Sequence, residues 1–584
     1  MSSAAPCQAG RVTEGKIVNY SIDQNLTATA TYTITPDFNG TVTVGQNLDT
    51  RNLRKLGTVG RQFIALQPFK LSNTVTQDLP FDDEQVIHDA GWFGQGTLDM
   101  WSQLHLTAAV RNDGSSTFGQ NNLRSWFPKG SAAWEFTKAI GERSWLSYGK
   151  ARVAYGQAGI EPQPYLTAQS YSSTVTLGGV SQGTGNIPSQ GGLPGLVSNF
   201  KAATVLKPER SKELEAGADF GFFKDRADAS VTWYNKTSSD VILLSPVNPS
   251  SGYQFQAANA ATIRNRGWEA SLNVRPVQQP DYGWEVGLQW ARNRSLVQKL
   301  PAGLQYVVIG DFNRQVAMPG QPIGVFLGTG FMRCGISKAG DSVETGGTPA
   351  KTTLGSFCAG AAQGALFIGP DGLPVQDPDL RIVQDPNYNW TGSVRSSFRY
   401  KKFQIAGLVD IRHGGQIWNG TKGALWSYGT HLDTQQRAAC TGSGASVCTG
   451  NMKTFGQGGW WDGPVAGPGA NTPVSIGENW YKFIAACPFV GIDEPCIEDG
   501  GFVKLREVSV SYTIDASWVQ RAIGFSSIDV RVSGRNLKTW TNYTGYDPET
   551  NLGGPISSAA GAGGVDYFNN PQTRSFAISV TLNH

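Results

Sequence analysis

Apolar and polar residues alternate strictly along much of this chain, and this period of two constrains the fold more than any other feature. Residues 266–290 show the alternation twice, on either side of Pro276 and Pro280. The apolar positions are Trp268, Ala270, Leu272 and Val274, followed by Trp284, Val286, Leu288 and Trp290. Because successive strand residues point to opposite faces of a sheet, this segment is predicted to be a β-hairpin with one apolar face. Either a second sheet or lipid must cover that face.

The same alternation predicts strands of about ten residues throughout the chain. They comprise a hairpin over 26–48 and strands over 104–111, 132–137, 146–156, 214–223, 227–235, 393–400, 403–412, 504–514, 527–537 and 575–584. One brief helix is predicted over residues 518–524. The fold class is therefore all-β.

The connections between these strands alternate in length. Short ones lie at 36–40, 224–226, 276–283 and 401–402, and long polar ones at about 157–205, 236–262, 328–380, 424–500 and 540–572. Short turns at one end and long loops at the other are typical of an antiparallel outer-membrane β-barrel. A soluble or surface-attached β-rich protein that binds glycans is the alternative.

Composition excludes several functional classes. The 584 residues include 48 basic and 45 acidic side chains, and a net charge of +3 with no basic cluster argues against a nucleic-acid partner. The chain has no apolar run of the ~18 residues that a membrane-spanning helix needs. HExxH and Walker motifs are absent from the sequence, and no enzyme activity, metal site or cofactor is predicted.

Six cysteines fall into three local pairs within Gly-, Ser- and Pro-rich segments. The pairs are Cys334 with Cys358, Cys440 with Cys448, and Cys487 with Cys496. Disulfides at these places would restrict the unfolded chain and would indicate an oxidising compartment. The alternative is six free thiols that lie close together in sequence.

Aromatic residues are concentrated in one long loop and form a group that can contact a substrate or a protein partner. The group consists of Trp426, Tyr428, Trp460, Trp461, Trp480 and Tyr481. Such rings stack on sugars, but each one can equally be buried inside a folded loop. The prediction therefore concerns the group and no single member.

Four stretches of the chain carry a family resemblance. They are LTAAVRNDGSSTFGQNN (106–122), LKPERSKELEAGADFGFFKDRADASVTWYNKTSSDVI (206–242), NAATIRNRGWEASL (259–272) and SGRNLKTWTNYTGYDPETN (533–551). Together they closely resemble the barrel of the SusC-like (SusC/RagA) TonB-dependent outer-membrane transporters. The family's barrel has 22 strands. At roughly 30 to 40 residues per strand and connection, residues 1–584 supply about 14 to 18 of them, with 1–20 expected to be irregular.

The resemblance also implies a location and partners. In the outer membrane, Trp268, Leu272, Val286, Leu288 and Trp290 would face lipid, whereas Glu269, Asn273, Glu285 and Gln289 would face the lumen. The ligand would be an oligosaccharide or a peptide delivered by a SusD-like surface lipoprotein. The family's plug, its TonB box and a signal peptide have no counterpart in these residues, so TonB would act only through another part. Energised import by this chain alone is not expected.

Overall fold

The computed structural model describes residues 10–584 except for 66, 79, 119–123, 142, 169–170, 173–174, 178–179, 183–186, 189–193, 198–199, 204, 252, 254, 310–313, 336–341, 344–357, 378, 436–451, 454–460, 462, 478–479, 488–490, 550–551 and 553–562. Among these described residues, no helix has both the length and the apolar character needed to span a membrane.

Fifteen long strands carry the fold. They are β1 (Arg11–Thr35), β2 (Phe38–Phe63), β3 (Phe81–Met100), β4 (Leu104–Ser115), β5 (Arg124–Trp134), β6 (Leu146–Ile160), β7 (Glu209–Phe222), β8 (Ala227–Pro246), β9 (Phe255–Gln278), β10 (Tyr282–Lys299), β11 (Tyr388–Tyr400), β12 (Phe403–Gly414), β13 (Phe502–Ile514), β14 (Ser527–Thr541) and β15 (Ser575–Asn583).

Shorter elements occur mainly in the connections. The short strands are Thr74–Gln77, Tyr171–Ser172, Val175–Leu177, Val180–Gln182, Ile187–Pro188, Pro194–Val197, Phe200–Lys201, Val307–Val308, Gln315–Ala317, Val325–Gly328, Ser342–Val343, Leu366–Phe367, Leu380–Gln384, Gln416–Asn419, Met452–Lys453, Val465–Ala466, Val474–Ser475, Ile497–Asp499 and Val565–Asp566. The α-helices are α1 (Phe136–Ile140), α2 (Gly420–Tyr428) and α3 (Ser517–Ile523), and Trp480–Ile484 forms a π-helix. Single 3₁₀ turns cover Leu71–Asn73, Pro249–Ser251, Leu432–Thr434 and Glu494–Cys496.

The chain divides into two compact units. Unit 1 contains Met1–Ile140, Lys150–Ala216 and Lys236–Thr262, and unit 2 contains Gly141–Gly149, Gly217–Asn235 and Ile263–His584. In unit 1, β1 to β5 form an antiparallel meander in which each strand pairs with the next. In unit 2, β10 to β15 do the same. The largest sheet in the described part of the chain has 17 strands, within the range predicted from chain length.

One row of apolar side chains crosses all six strands of the unit 2 meander. The row consists of Trp284, Phe398, Ile405, Val510, Val532 and Ile578, each paired with the next. Every member is at least 36% exposed. A contiguous apolar surface of this kind marks contact with lipid or with another protein.

The neighbouring row, one residue along each strand, is polar from β11 to β15 and begins at a glycine on β10. Its members are Gly283, Arg399, Gln404, Ser511, Arg531 and Ser579, again paired in order. Adjacent strand residues point to opposite faces, so the two rows place an apolar surface and a polar surface on the two sides of one sheet. This is the outward-apolar, inward-polar arrangement of a transmembrane strand wall.

Aromatic residues border the apolar surface of unit 2 near the short turns. Tyr282 pairs with Tyr400, Tyr400 with Phe403, and Phe403 with Tyr512. Trp290 lies eight residues further along β10, which is about 27 Å along a strand or about 19 Å of height at a ~45° tilt. That separation approaches the apolar band of ~25 Å between the two aromatic girdles of an outer-membrane protein.

Several sequence predictions about strand lengths are wrong. Residues 11–20, expected to be irregular, belong to β1, which has 25 residues instead of about ten. The predicted loop over 236–262 is largely strand, since β8 continues to Pro246 and β9 begins at Phe255. The whole of β3 was missed. Apolar and polar residues alternate only in the part of a strand that has an apolar surrounding on one side. Where a strand continues beyond that part, its sequence need not alternate, so the alternation does not predict the continuation.

Candidate functional site

The sheet of unit 1 contains a pocket of about 380 Å³. Its side chains come from two adjacent cross-strand rows, Phe93–Arg111–Phe127 and Gln95–Ala109–Lys129, on β3, β4 and β5. Residues 157–159 at the end of β6 complete the lining. The pocket therefore combines two aromatic rings, two side-chain amides and two cations.

Arg111 is held against the sheet because residue 91 is glycine. Its Nε donates to Oδ1 of Asp113, and its Nη2 donates to Oδ1 of Asn47 at 3.3 Å. A Cβ atom on Gly91 would lie 2.3 Å from Nη2 of Arg111 and 2.4 Å from Oδ1 of Asp113. Any other residue at position 91 would displace the ion pair between Arg111 and Asp113. Among the described residues that line the pocket, Arg111 is the only cation that forms an ion pair.

An acidic group lies beside the pocket, further along the same strands. It consists of Asp23, Asp49, Asp89 and Glu161, with Arg51 among them. Asp23, Asp49 and Asp89 are directly paired across β1, β2 and β3. Arg51 binds Asp89 and Glu161, and its Nε is 2.9 Å from Oδ2 of Asp49. Three carboxylates thus share one guanidinium, Asp23 adds a fourth negative charge, and the acidic group is strongly negative.

The long connections of unit 2 fold into a core of their own, here called the loop core. Its centre consists of Phe326, Trp418, Trp426, Ala485, Cys487, Cys496 and Val565, all buried. Helix α2 approaches this centre closely, because a Cβ atom on Gly423 would lie 1.6 Å from the carbonyl oxygen of Cys487. The loops of this unit are therefore a packed structure and not a set of independent segments.

A buried charge network fixes the last long connection to the sheet. Nζ of Lys504 on β13 is 2.8 Å from Oδ1 of Asp547 and 2.6 Å from Oε2 of Glu549. Arg506 on the same strand binds Glu549 and, on β12, Oδ2 of Asp410 at 2.6 Å. Lys504 is only 2% exposed. Opposite charges satisfy each other throughout this network, which is the condition for burying them.

Acid is expected to loosen this network. Burial raises the pKa of Glu549, but hydrogen bonds from Arg506 and Lys504 outweigh it and lower the pKa from 4.5 to about 2. A carboxyl whose pKa is lower in the folded state stabilises the fold fully above its unfolded pKa, and the stabilisation is lost as the pH falls through the folded value. The connection that this network holds to the sheet should therefore loosen between pH 4.5 and about 2. Near-ultraviolet circular dichroism should report this change, and a chain with Glu549→Gln should show less of it. Identical pH profiles for the two chains would contradict the assignment.

Most of the predicted loop aromatics lie inside the loop core. Trp426 is 8% exposed and contacts the ring of Tyr481, with ring centroids 5.6 Å apart. Trp480 stacks on Phe331, and the guanidinium of Arg333 lies 4.9 Å above the ring of Trp461. Tyr428 at the end of α2 is different, since 64% of it is exposed. Trp460 lies outside the described residues.

Two of the cysteine pairs are bonded in the structure. Cys334 is joined to Cys358, with Cα atoms 5.5 Å apart, and Cys487 is joined to Cys496, with Cα atoms 6.5 Å apart. The second bond lies in the centre of the loop core. Cys440 and Cys448 lie outside the described residues, and their pairing stays a prediction.

Sequence reasoning missed the polar pocket and the charge network. The residues of the network are separated by 43 positions between Lys504 and Asp547 and by 96 between Arg506 and Asp410. No local spacing joins them. The one available signal was the stretch 533–551, which contains Asp547 and Glu549 and carries part of the family resemblance, but it gave neither residue a role.

Comparison with known proteins agrees with this architecture. The family model described as TonB dependent receptor-like, beta-barrel matches residues 9–325. The TonB-dependent receptor P3 of Formosa agariphila is 28% identical over 501 residues, which are 84% of this chain and 45% of that protein. The TonB-dependent receptor SusC of Bacteroides thetaiotaomicron is 27% identical over 236 residues, covering 38% of this chain and 22% of SusC.

A solved structure shows the same fold. The structure of the RagAB peptide transporter superposes with a TM-score of 0.70 over 98% of this chain and 56% of that one, at 18% identity. The chain spans about half the length of the curated relatives P3 and P26 that it matches. The proteins of this family reside in the outer membrane. This chain belongs to the TonB dependent receptor-like, beta-barrel family.

Proposed function

We propose that this chain forms the ligand-conducting wall of an outer-membrane importer of oligosaccharides or peptides. The observation that carries the proposal is the pair of adjacent rows in unit 2, one wholly apolar and exposed and the other polar from β11 to β15. An apolar outer surface suits the membrane, and a polar inner surface suits a hydrophilic ligand that crosses it. Membership of the TonB-dependent family supports transport as the activity.

The proposal assigns a surface to each partner. Outer-membrane lipid contacts Trp268, Leu272, Val286, Leu288 and Trp290. A SusD-like surface lipoprotein delivers the ligand at the loop core, where the exposed ring of Tyr428 is the best placed of the predicted aromatics. TonB supplies the energy for import. No catalytic step is part of this activity.

Gene deletion and fractionation test the proposal together. Cells that lack the gene should lose accumulation of one labelled class, either oligosaccharide or peptide, and cells that lack TonB should lose the same class. Unchanged uptake of both classes in the deletion strain would contradict the proposal. In fractionation, the chain should remain with membranes after carbonate washing and dissolve only in detergent. Release into buffer would instead favour the soluble or surface-attached glycan-binding alternative.

A further inference from the structure

The pocket in unit 1 has the size of a ligand subsite. Its volume of about 380 Å³ falls in the range of small-molecule pockets, roughly 300–1,000 Å³. The rings of Phe93 and Phe127 provide apolar walls, and Gln95 and Gln157 provide amide donors and acceptors. A few polar groups between apolar walls are the usual composition of a site that orients its ligand.

Two cations at this pocket have no carboxylate partner within the described residues. Lys129 lines the pocket and takes part in no ion pair found there. Arg210 contacts two of the lining residues, since its Cζ is 5.4 Å from the centre of the Phe127 ring and its Nη1 donates to Oε1 of Gln157 at 3.1 Å. It forms no ion pair in the described part of unit 1 either. Arg111, by contrast, is neutralised by Asp113. The pocket therefore carries an uncompensated positive charge that favours an anionic group.

The acidic group places negative charge at a defined distance from the positively charged pocket. Lys129 lies in the same cross-strand row as Gln95, and Asp89 precedes Gln95 by six residues on β3, which corresponds to about 20 Å along the strand. An extended peptide of about six residues has the same length, at ~3.3–3.6 Å per residue. Its ammonium group would reach the acidic group while its carboxylate reached Lys129. A polyanion such as an oligouronate would meet the same four carboxylates with like charge.

Building on the proposed import function, we propose that this wall binds short peptides with free termini, with the carboxylate in the pocket at Lys129 and Arg210 and the ammonium at the acidic group. Charge-assisted hydrogen bonds from Lys and Arg give the carboxylate its affinity, and the two phenylalanine rings accept an apolar side chain next to it. Neutral oligosaccharides would use neither charge.

Binding to the purified chain in detergent micelles tests the peptide assignment. The probes are hexaalanine, hexaalanine with a C-terminal amide, maltohexaose and hexagalacturonate, measured by isothermal titration calorimetry. Hexaalanine should bind best, and the amide should bind on the order of tenfold more weakly because one charged hydrogen-bonding group is removed. Lys129→Gln should weaken binding of hexaalanine by a similar factor and leave the amide unchanged.

A matched variant and the remaining outcomes make the test decisive. Lys70→Gln makes the same charge change at an exposed position of unit 1 that does not line the pocket, and it should leave every affinity unchanged. Equal binding of hexaalanine and its amide would overturn the inference. So would binding of maltohexaose or hexagalacturonate alone, or of no probe. Each of these results leaves the import function to be judged by uptake in the deletion strain, so the two proposals fail separately.

Discussion

Replacing Lys504 by methionine is expected to lower the free energy of unfolding by about 3–5 kcal/mol, because it removes one partner from a buried ion pair and leaves the other charged. Asp547 would lose its cation while remaining about 6% exposed, whereas Glu549 would keep Arg506. Methionine has nearly the same shape as lysine, so loss of packing contributes little. Denaturant titration of the folded chain in micelles, followed by tryptophan fluorescence, measures the difference.

Lys402→Met is the matched control. Lys402 pairs with Asp515, but both side chains are nearly half exposed, so water already screens the pair and its loss should cost much less. If the two variants were destabilised equally, the Lys504 network would contribute no more than a surface ion pair. The double variant Lys504→Met with Asp547→Leu should recover much of the lost stability, since it removes the unpaired charge as well.

Leu288→Arg is expected to destabilise the membrane-inserted chain by about 2–4 kcal/mol if position 288 lies near the middle of the bilayer. Leu288 is 40% exposed and pairs with Val394 on β11, within the apolar face of unit 2. An arginine there would place a charge in hydrocarbon. Unfolding by denaturant in lipid vesicles gives the cost directly.

The adjacent position supplies the comparison for this second variant. Gln289 points to the polar face, where its Oε1 accepts a hydrogen bond from Oγ of Ser393 at 3.5 Å. Gln289→Arg should therefore change the stability only slightly, because its charge stays in water. Equal costs for the two arginines would show that the two faces of β10 are assigned wrongly.

The alternation in the sequence determined the wall of unit 2 almost completely. The predicted hairpin of residues 266–290, the short connections near 224–226 and 401–402 and the helix over 518–524 all appear, the helix as Ser517–Ile523. These features are local. A strand between an apolar and a polar solvent must alternate every second residue, and a tight turn needs its own few residues, so the chain records both in short stretches.

Tertiary structure alone decided the pocket of unit 1, the buried charge network and the loop core. The polar extensions of β1 and β2 have water on both sides, so they need no alternation and gave no signal. The pocket exists because pairing brings Phe93, Arg111 and Phe127 side by side from three strands. The buried carboxylate of Asp493 is compensated by Arg314, 179 positions away in the sequence, whose Nη1 donates to its Oδ2 at 2.7 Å. Contacts of this kind depend on strand register and loop packing, which no local pattern of residues encodes. Strand register places Lys129 at the pocket, and loop packing places Trp426 in the loop core.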